Sequence, residues 1–139
     1  MYYYIEPEVA GGLGDSTVMD TSVHPPKVTA LEYRFEGWLG DALLESFPCF
    51  IVSDSLAIAI GEYRLSGVFF EDVLITKSDE FEEINPDITL PKFVWLKIGG
   101  KAGLDDFGLA DDYRLVVSVM ALNLLRGFGI DNADLEEFV

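Results

Sequence analysis

Four carboxylates crowd one polar connection: Asp105 and Asp106 in Asp-Asp-Phe-Gly, then Asp111 and Asp112. Oxygen ligands of this kind can hold a hard cation, but the Asp-x-Asp-x-Asp-Gly run and closing Glu of a calcium loop are missing. No metal is therefore expected, and the loop reads as a surface for a cationic partner or as a solvated turn. A second candidate is Gly37-Trp38-Leu39-Gly40-Asp41. Tryptophan is enriched at interface hot spots, although one between glycines also serves as a core plug. Trp38 and Asp41 join Asp105, Asp106, Asp111 and Asp112 as the candidate partner-binding set. His24 is the only histidine and so the only ordinary general base near neutral pH. It precedes two prolines in a loop and has no Ser or Cys at a known spacing. Cys49 has no adjacent His or Lys to lower its thiol pKa, and it reads as a small buried apolar residue. Gly11-Gly12-Leu13-Gly14-Asp15 lacks the Gly-Lys-Ser/Thr of a phosphate loop and reads as a plain loop. No catalytic residue and no cofactor is expected.

These loops must be positioned by elements, and the chain writes one element pattern twice. Phe50-Ile51-Val52-Ser53 leads into Asp54 to Tyr63 and then Gly67 to Val73. Leu115-Val116-Val117-Ser118 leads into Val119 to Phe128 and then Asn132 to Phe138, 65 residues later. Each copy reads as a buried strand, a serine N-cap, a short helix, a turn and a second strand. Leu56, Ile60 and Tyr63 share one helix face, and Ala121, Leu125 and Phe128 take their places in the second copy. Alone, Ala133 to Phe138 looks helical; aligned with Val68 to Val73, it is predicted as a strand. Elsewhere, strands are predicted at Tyr2–Ile5, Val28–Phe35, Val68–Thr76 and Phe93–Ile98. A helical turn is predicted at Asp41–Ser46, and a Ser78-capped acidic helix from Ser78 to Asn85. Glu6 to Pro26 and Lys101 to Tyr113 read as loops. The expectation is one α+β domain over residues 1–139, with a mixed or mostly antiparallel sheet and two or three short helices.

Composition bounds the function. Half of the 139 residues are hydrophobic, enough for a real core. No apolar run approaches the roughly 20 residues of a membrane helix, and the start lacks the basic region of a signal peptide. A single cysteine leaves no internal disulfide. A cytoplasmic protein without membrane contact is expected. Twenty-five acidic residues against nine basic ones give a formal net charge of -16. Such a chain repels nucleic acid, whose binding needs Lys and Arg, and it attracts cationic partners.

The repeated Ile-Val-Ser-x-x-Leu and Leu-Ser-Gly-Val-x-Phe, with Leu-Val-Val-Ser-x-x-Ala-Leu and the terminal Ala-Asp-Leu-Glu-Glu-Phe, resemble the immunity proteins of bacterial polymorphic toxin systems. The group typified by small myxobacterial immunity proteins is the most similar. The resemblance covers Phe50–Val73 and Leu115–Phe138. It implies a non-catalytic protein that binds and blocks a cognate toxin domain, and the charge suits a basic toxin. The alternative is a small enzyme or ligand-binding domain in which His24 and the loop carboxylates line a pocket. In a third reading, the aromatic run Tyr2-Tyr3-Tyr4 contacts a partner in a larger assembly.

Overall fold

The two serine-capped segments fold alike, and their likeness organises the molecule. A computed structural model describes Met1–Val139. Its elements run β1 (Tyr2–Glu6), β2 (Gly11–Leu13), β3 (Val18–Asp20), β4 (Lys27–Ala30), β5 (Glu32–Phe35), β6 (Leu43–Ser46) and β7 (Cys49–Ser53). They continue α1 (Asp54–Glu62), β8 (Val68–Glu71), β9 (Leu74–Lys77), α2 (Asp79–Ile84), β10 (Phe93–Ile98), β11 (Phe107–Leu109), β12 (Leu115–Ser118), α3 (Val119–Phe128) and β13 (Asp134–Phe138). The fold is α+β, with mostly antiparallel sheets and three short helices.

In the first repeat, β7 and β8 do not pair with each other. β10 runs antiparallel between them, giving the order β6-β7-β10-β8. In the second repeat β1 runs antiparallel between β12 and β13, giving β11-β12-β1-β13. Each repeat is thus a split β-α-β unit, two parallel strands joined through a helix with a borrowed strand between them. The registers agree residue by residue. Trp95 pairs with Ile51 and Glu71, while Tyr4 pairs with Val116 and Glu136, their counterparts 65 residues on.

Both helices start as the sequence predicts. Ser53 Oγ accepts from Leu56 N at 3.3 Å, and Ser118 Oγ accepts from Ala121 N at 3.1 Å. Each cap satisfies a donor that the first helical turn leaves free. Ser78 caps α2 in the same way, from Phe81 N at 3.1 Å. Leu56, Ala57 and Ile60 of α1 meet Ala121, Leu122 and Leu125 of α3 in one core shared by both repeat sheets. The helix faces end earlier than their periodicity suggests. Tyr63 is the C-cap of α1 and 67% exposed, and Phe128 closes α3 on the surface.

A second core lies on the other face of the first repeat sheet, against a sheet of order β2-β5-β9. Tyr33, Phe35 and Phe81 pack there on Ile51, Phe93 and Trp95. This two-sided burial explains why β7 is apolar without alternation: Phe50 and Val52 enter the first core, Cys49 and Ile51 the second.

Several local expectations change. Asp41–Ser46 is no helical turn: Leu43–Ser46 is strand β6, paired antiparallel with β7, because Leu43 and Leu44 are buried on opposite faces, one in each core. Val28–Phe35 breaks at Leu31 into β4, which pairs with β3, and β5, which pairs with β2 and in parallel with β9. Val68–Thr76 likewise divides where the chain leaves one sheet for another. Gly11–Leu13 is strand rather than loop, and a Cβ at Gly11 would collide with the carbonyl of Arg34 on β5. Phe107–Leu109 forms a further strand inside the acidic connection.

Candidate functional site

The six candidate residues fall in three places, and the Asp111–Asp112 pair is the most exposed of them. Asp41 is 2% exposed. Its carboxylate accepts from the backbone N and the Nδ2 of Asn132, both at 2.9 Å. Asp41 therefore ties β6 to the turn after α3, and a partner contact there is corrected to a structural role. Trp38 is half-buried. Its Nε1 donates to Asp41 O at 3.0 Å and its ring meets Phe35 and Phe93 edge-on. The same loop is pinned by Glu8, whose carboxylate accepts from Leu39 N at 2.7 Å and Asp41 N at 3.2 Å. Burial raises the Glu8 pKa against the lowering effect of those two backbone bonds, with the nearby Asp41 charge adding to the rise.

Asp106 mirrors Asp41. Its carboxylate accepts from Ser66 N at 2.9 Å, in the turn after α1, and from Ser118 Oγ at 2.6 Å. Each repeat thus offers an aspartate to the post-helix turn of the other. Asp105 closes its own loop by accepting from Lys101 N at 2.8 Å. No three carboxylates converge on a point that would hold a metal ion.

Asp111 and Asp112 stand apart. They occupy the exposed tip of the β11–β12 hairpin, where Ala110 N donates to Arg114 O at 2.9 Å. Tyr113 follows them with φ 68°, the left-handed third residue that a three-residue hairpin loop uses. Asp112 grips Arg114: Nε donates to Oδ2 at 2.7 Å and the backbone N to Oδ1 at 3.2 Å. This lowers the Asp112 pKa and raises that of Arg114. Arg114 also reaches Glu136 at 3.3 Å and lies 3.7 Å above the ring of Tyr4. Tyr4 in turn meets Phe138 edge-on at 5.1 Å.

These residues share the outer face of the second repeat sheet. Tyr4, Leu109, Asp111, Asp112 and Phe138 bound a shallow groove of about 310 Å³ with Lys101 and Ala102 at its side. Glycine makes the groove: a Cβ on Gly108 would strike the Lys101–Ala102 backbone, and one on Gly103 would press on the Phe138 ring. Tyr2 adds a bond from its hydroxyl to Leu104 O at 3.1 Å. The arrangement is an aromatic floor with a carboxylate rim, in which Arg114 already occupies the cation position over Tyr4 and Asp111 is left without a cation. Arg114, Glu136 and Phe138 were not among the sequence candidates. The tyrosine run was, and the alternation of β1 places Tyr2 and Tyr4 on this face.

His24 is exposed, and its ring neighbours are Phe47 and Tyr113, the tips of the two repeat hairpins. Cys49 is buried, and burial pushes its thiol up to about 12 although Lys97 pulls the other way. No helix is long and apolar enough to cross a membrane. The chain matches no protein-family model, no curated protein and no solved structure.

Proposed function

We propose that this chain is a non-catalytic acidic binding protein that neutralises a basic toxin domain, as the immunity proteins it resembles do. The observation that carries the reading is the uncompensated charge. Twenty-five carboxylates meet nine cations, and three of those cations, Arg34, Lys97 and Arg114, are already held in ion pairs by the chain's own acids. The remaining excess steers a basic partner into encounter and makes association fast and salt-dependent. Residence then needs a few desolvated anchors, which half-buried aromatic side chains provide.

The test is co-expression with the toxin domain encoded beside this chain. Growth should be restored by the chain, and the purified pair should bind with an association rate that falls steeply between low and physiological salt. If the neighbouring protein is harmless alone, or equally toxic with this chain present, the reading is wrong.

A further inference from the structure

The repeat supplies an internal control for what the outer face of such a sheet requires. In the first unit β10 presents Phe93 and Trp95 outward, and the β2-β5-β9 sheet covers them to 3% and 4% exposure. By register, the equivalent positions on β1 are Tyr2 and Tyr4. No sheet of this chain lies over them, and both remain half-exposed. Leu44, buried under the third sheet, corresponds to Gly108, on which only the Lys101–Ala102 backbone rests, and Cys49 to Arg114. The second unit therefore has the base of a two-layer core with the Lys101–Asp105 connection, and no sheet, laid over part of it.

We propose that this face docks a basic polypeptide segment with an apolar anchor, supplied by another protein. The anchor covers Tyr4 and Phe138 as the third sheet covers Trp95, and its Arg or Lys side chains meet Asp111, Asp112 and Glu136. Charge decides the occupant. The rim carboxylates repel nucleic acid and anionic lipid, and a second copy of a -16 chain brings the same sign to the same rim. Arg114, paired with Asp112 and Glu136, and Lys101 at the groove's side offset part of this charge, but the three rim carboxylates still outnumber them and Asp111 has no cation of its own. At about 310 Å³ and open to solvent, the groove sits at the small end of small-molecule pockets. This inference rests on the reading of the chain as an acidic binding protein and assigns that reading a place.

The test uses the full ¹⁵N-labelled chain and a ten-residue peptide of alternating arginine and valine, with decaarginine as the control for charge alone. The expected result is amide shifts concentrated in Tyr2–Tyr4, Leu109–Arg114 and Asp134–Phe138, with decaarginine giving weaker, scattered shifts. Phe138→Ser should weaken the alternating peptide about tenfold or more, as loss of an anchor does. Asp111→Lys, at an exposed loop tip, should weaken it several-fold and flatten its salt dependence. A dispersed spectrum for each variant shows that it is folded. Shifts centred on α1 and α3, shifts spread evenly over the surface, or unchanged affinity in the folded Asp111→Lys variant would overturn the proposal. The two readings fail separately. Protection from the toxin without peptide shifts on this face removes the site and leaves the function; shifts on this face without protection do the reverse.

Discussion

Replacing Asp41 by alanine should cost stability rather than binding. The carboxylate is buried and holds two bonds of 2.9 Å from Asn132, one of them to a backbone N–H. Hydrogen bonds to a charged group contribute about 1.5–3 kcal/mol each. The Nδ2 of Asn132 can turn to water when its partner goes, so its bond counts at the low end. The backbone N–H cannot turn away and loses its acceptor. The expected loss for Asp41→Ala is about 3 kcal/mol, against about 5–15 kcal/mol for a whole domain. For a chain of this size that lowers the melting temperature by about 10 °C. Asn132→Ala removes only the side-chain bond and should cost about 1 kcal/mol. Urea unfolding of both single variants and the double variant gives the coupling between them, expected near 1 kcal/mol. A loss below about 1 kcal/mol for Asp41→Ala, or a folded Asp41→Ala chain that no longer binds its partner, would refute the assignment of this residue to the scaffold.

Glu45 gives a pH test: burial, aided by the charge of Glu6, raises its carboxyl from the usual 4.5 to about 7. The folded chain then holds a proton that the unfolded chain releases near 4.5, so the contribution is full below that pH and is lost as pH rises to about 7. The shift corresponds to about 3 kcal/mol, reduced by partial solvent access to about 2; Glu45→Gln should gain that much at pH 8 and nothing at pH 4, as read by urea unfolding at both. Ser118→Ala should cost about 1–2 kcal/mol, more than Ser53→Ala, because Ser118 Oγ also donates to Asp106 at 2.6 Å whereas the other side-chain partner of Ser53 is Ser55 at 3.4 Å; equal losses on unfolding would contradict this. Cys49 should resist a thiol reagent at pH 8 in the folded chain and react at once in denaturant; rapid labelling without denaturant would mean that the second core opens locally.

The helix starts were legible because a serine cap is a local device: its acceptor and the donor it satisfies lie three residues apart. The C-terminal strand was legible only through the repeat, since its own letters suit a helix. Strand β6 was not legible. Ala42, Leu43 and Leu44 are all buried, and such a run carries no period that separates strand from helical turn. The breaks at Leu31 and before Leu74 depend on which sheet lies beside each segment, and three-residue strands such as β2 and β11 are too short to show alternation. For the site, Asp41 and Asp111 look alike as letters. They differ because Asn132, 91 residues away, closes over one and nothing closes over the other. The weight of Tyr2 and Tyr4 was hidden for a similar reason: the sequence marks β1 as a strand, but only the topology shows which of its faces has no second sheet over it.

The borrowed middle strand also dictates an order of events. Neither repeat is self-sufficient: the first waits for β10, made after it, and the second needs β1, made long before it. During synthesis the first sheet has all its strands by Ile98, while β1 has neither neighbour until β12 and β13 emerge more than a hundred residues later. Pairings so distant in sequence form slowly. Through that interval β1 shows two unpaired edges and a run of tyrosines, the kind of segment that recruits other chains. A nascent or truncated chain ending near Gly100 would therefore be the sticky form of this protein, and the arrival of β12 and β13 on either side of β1 is what silences it.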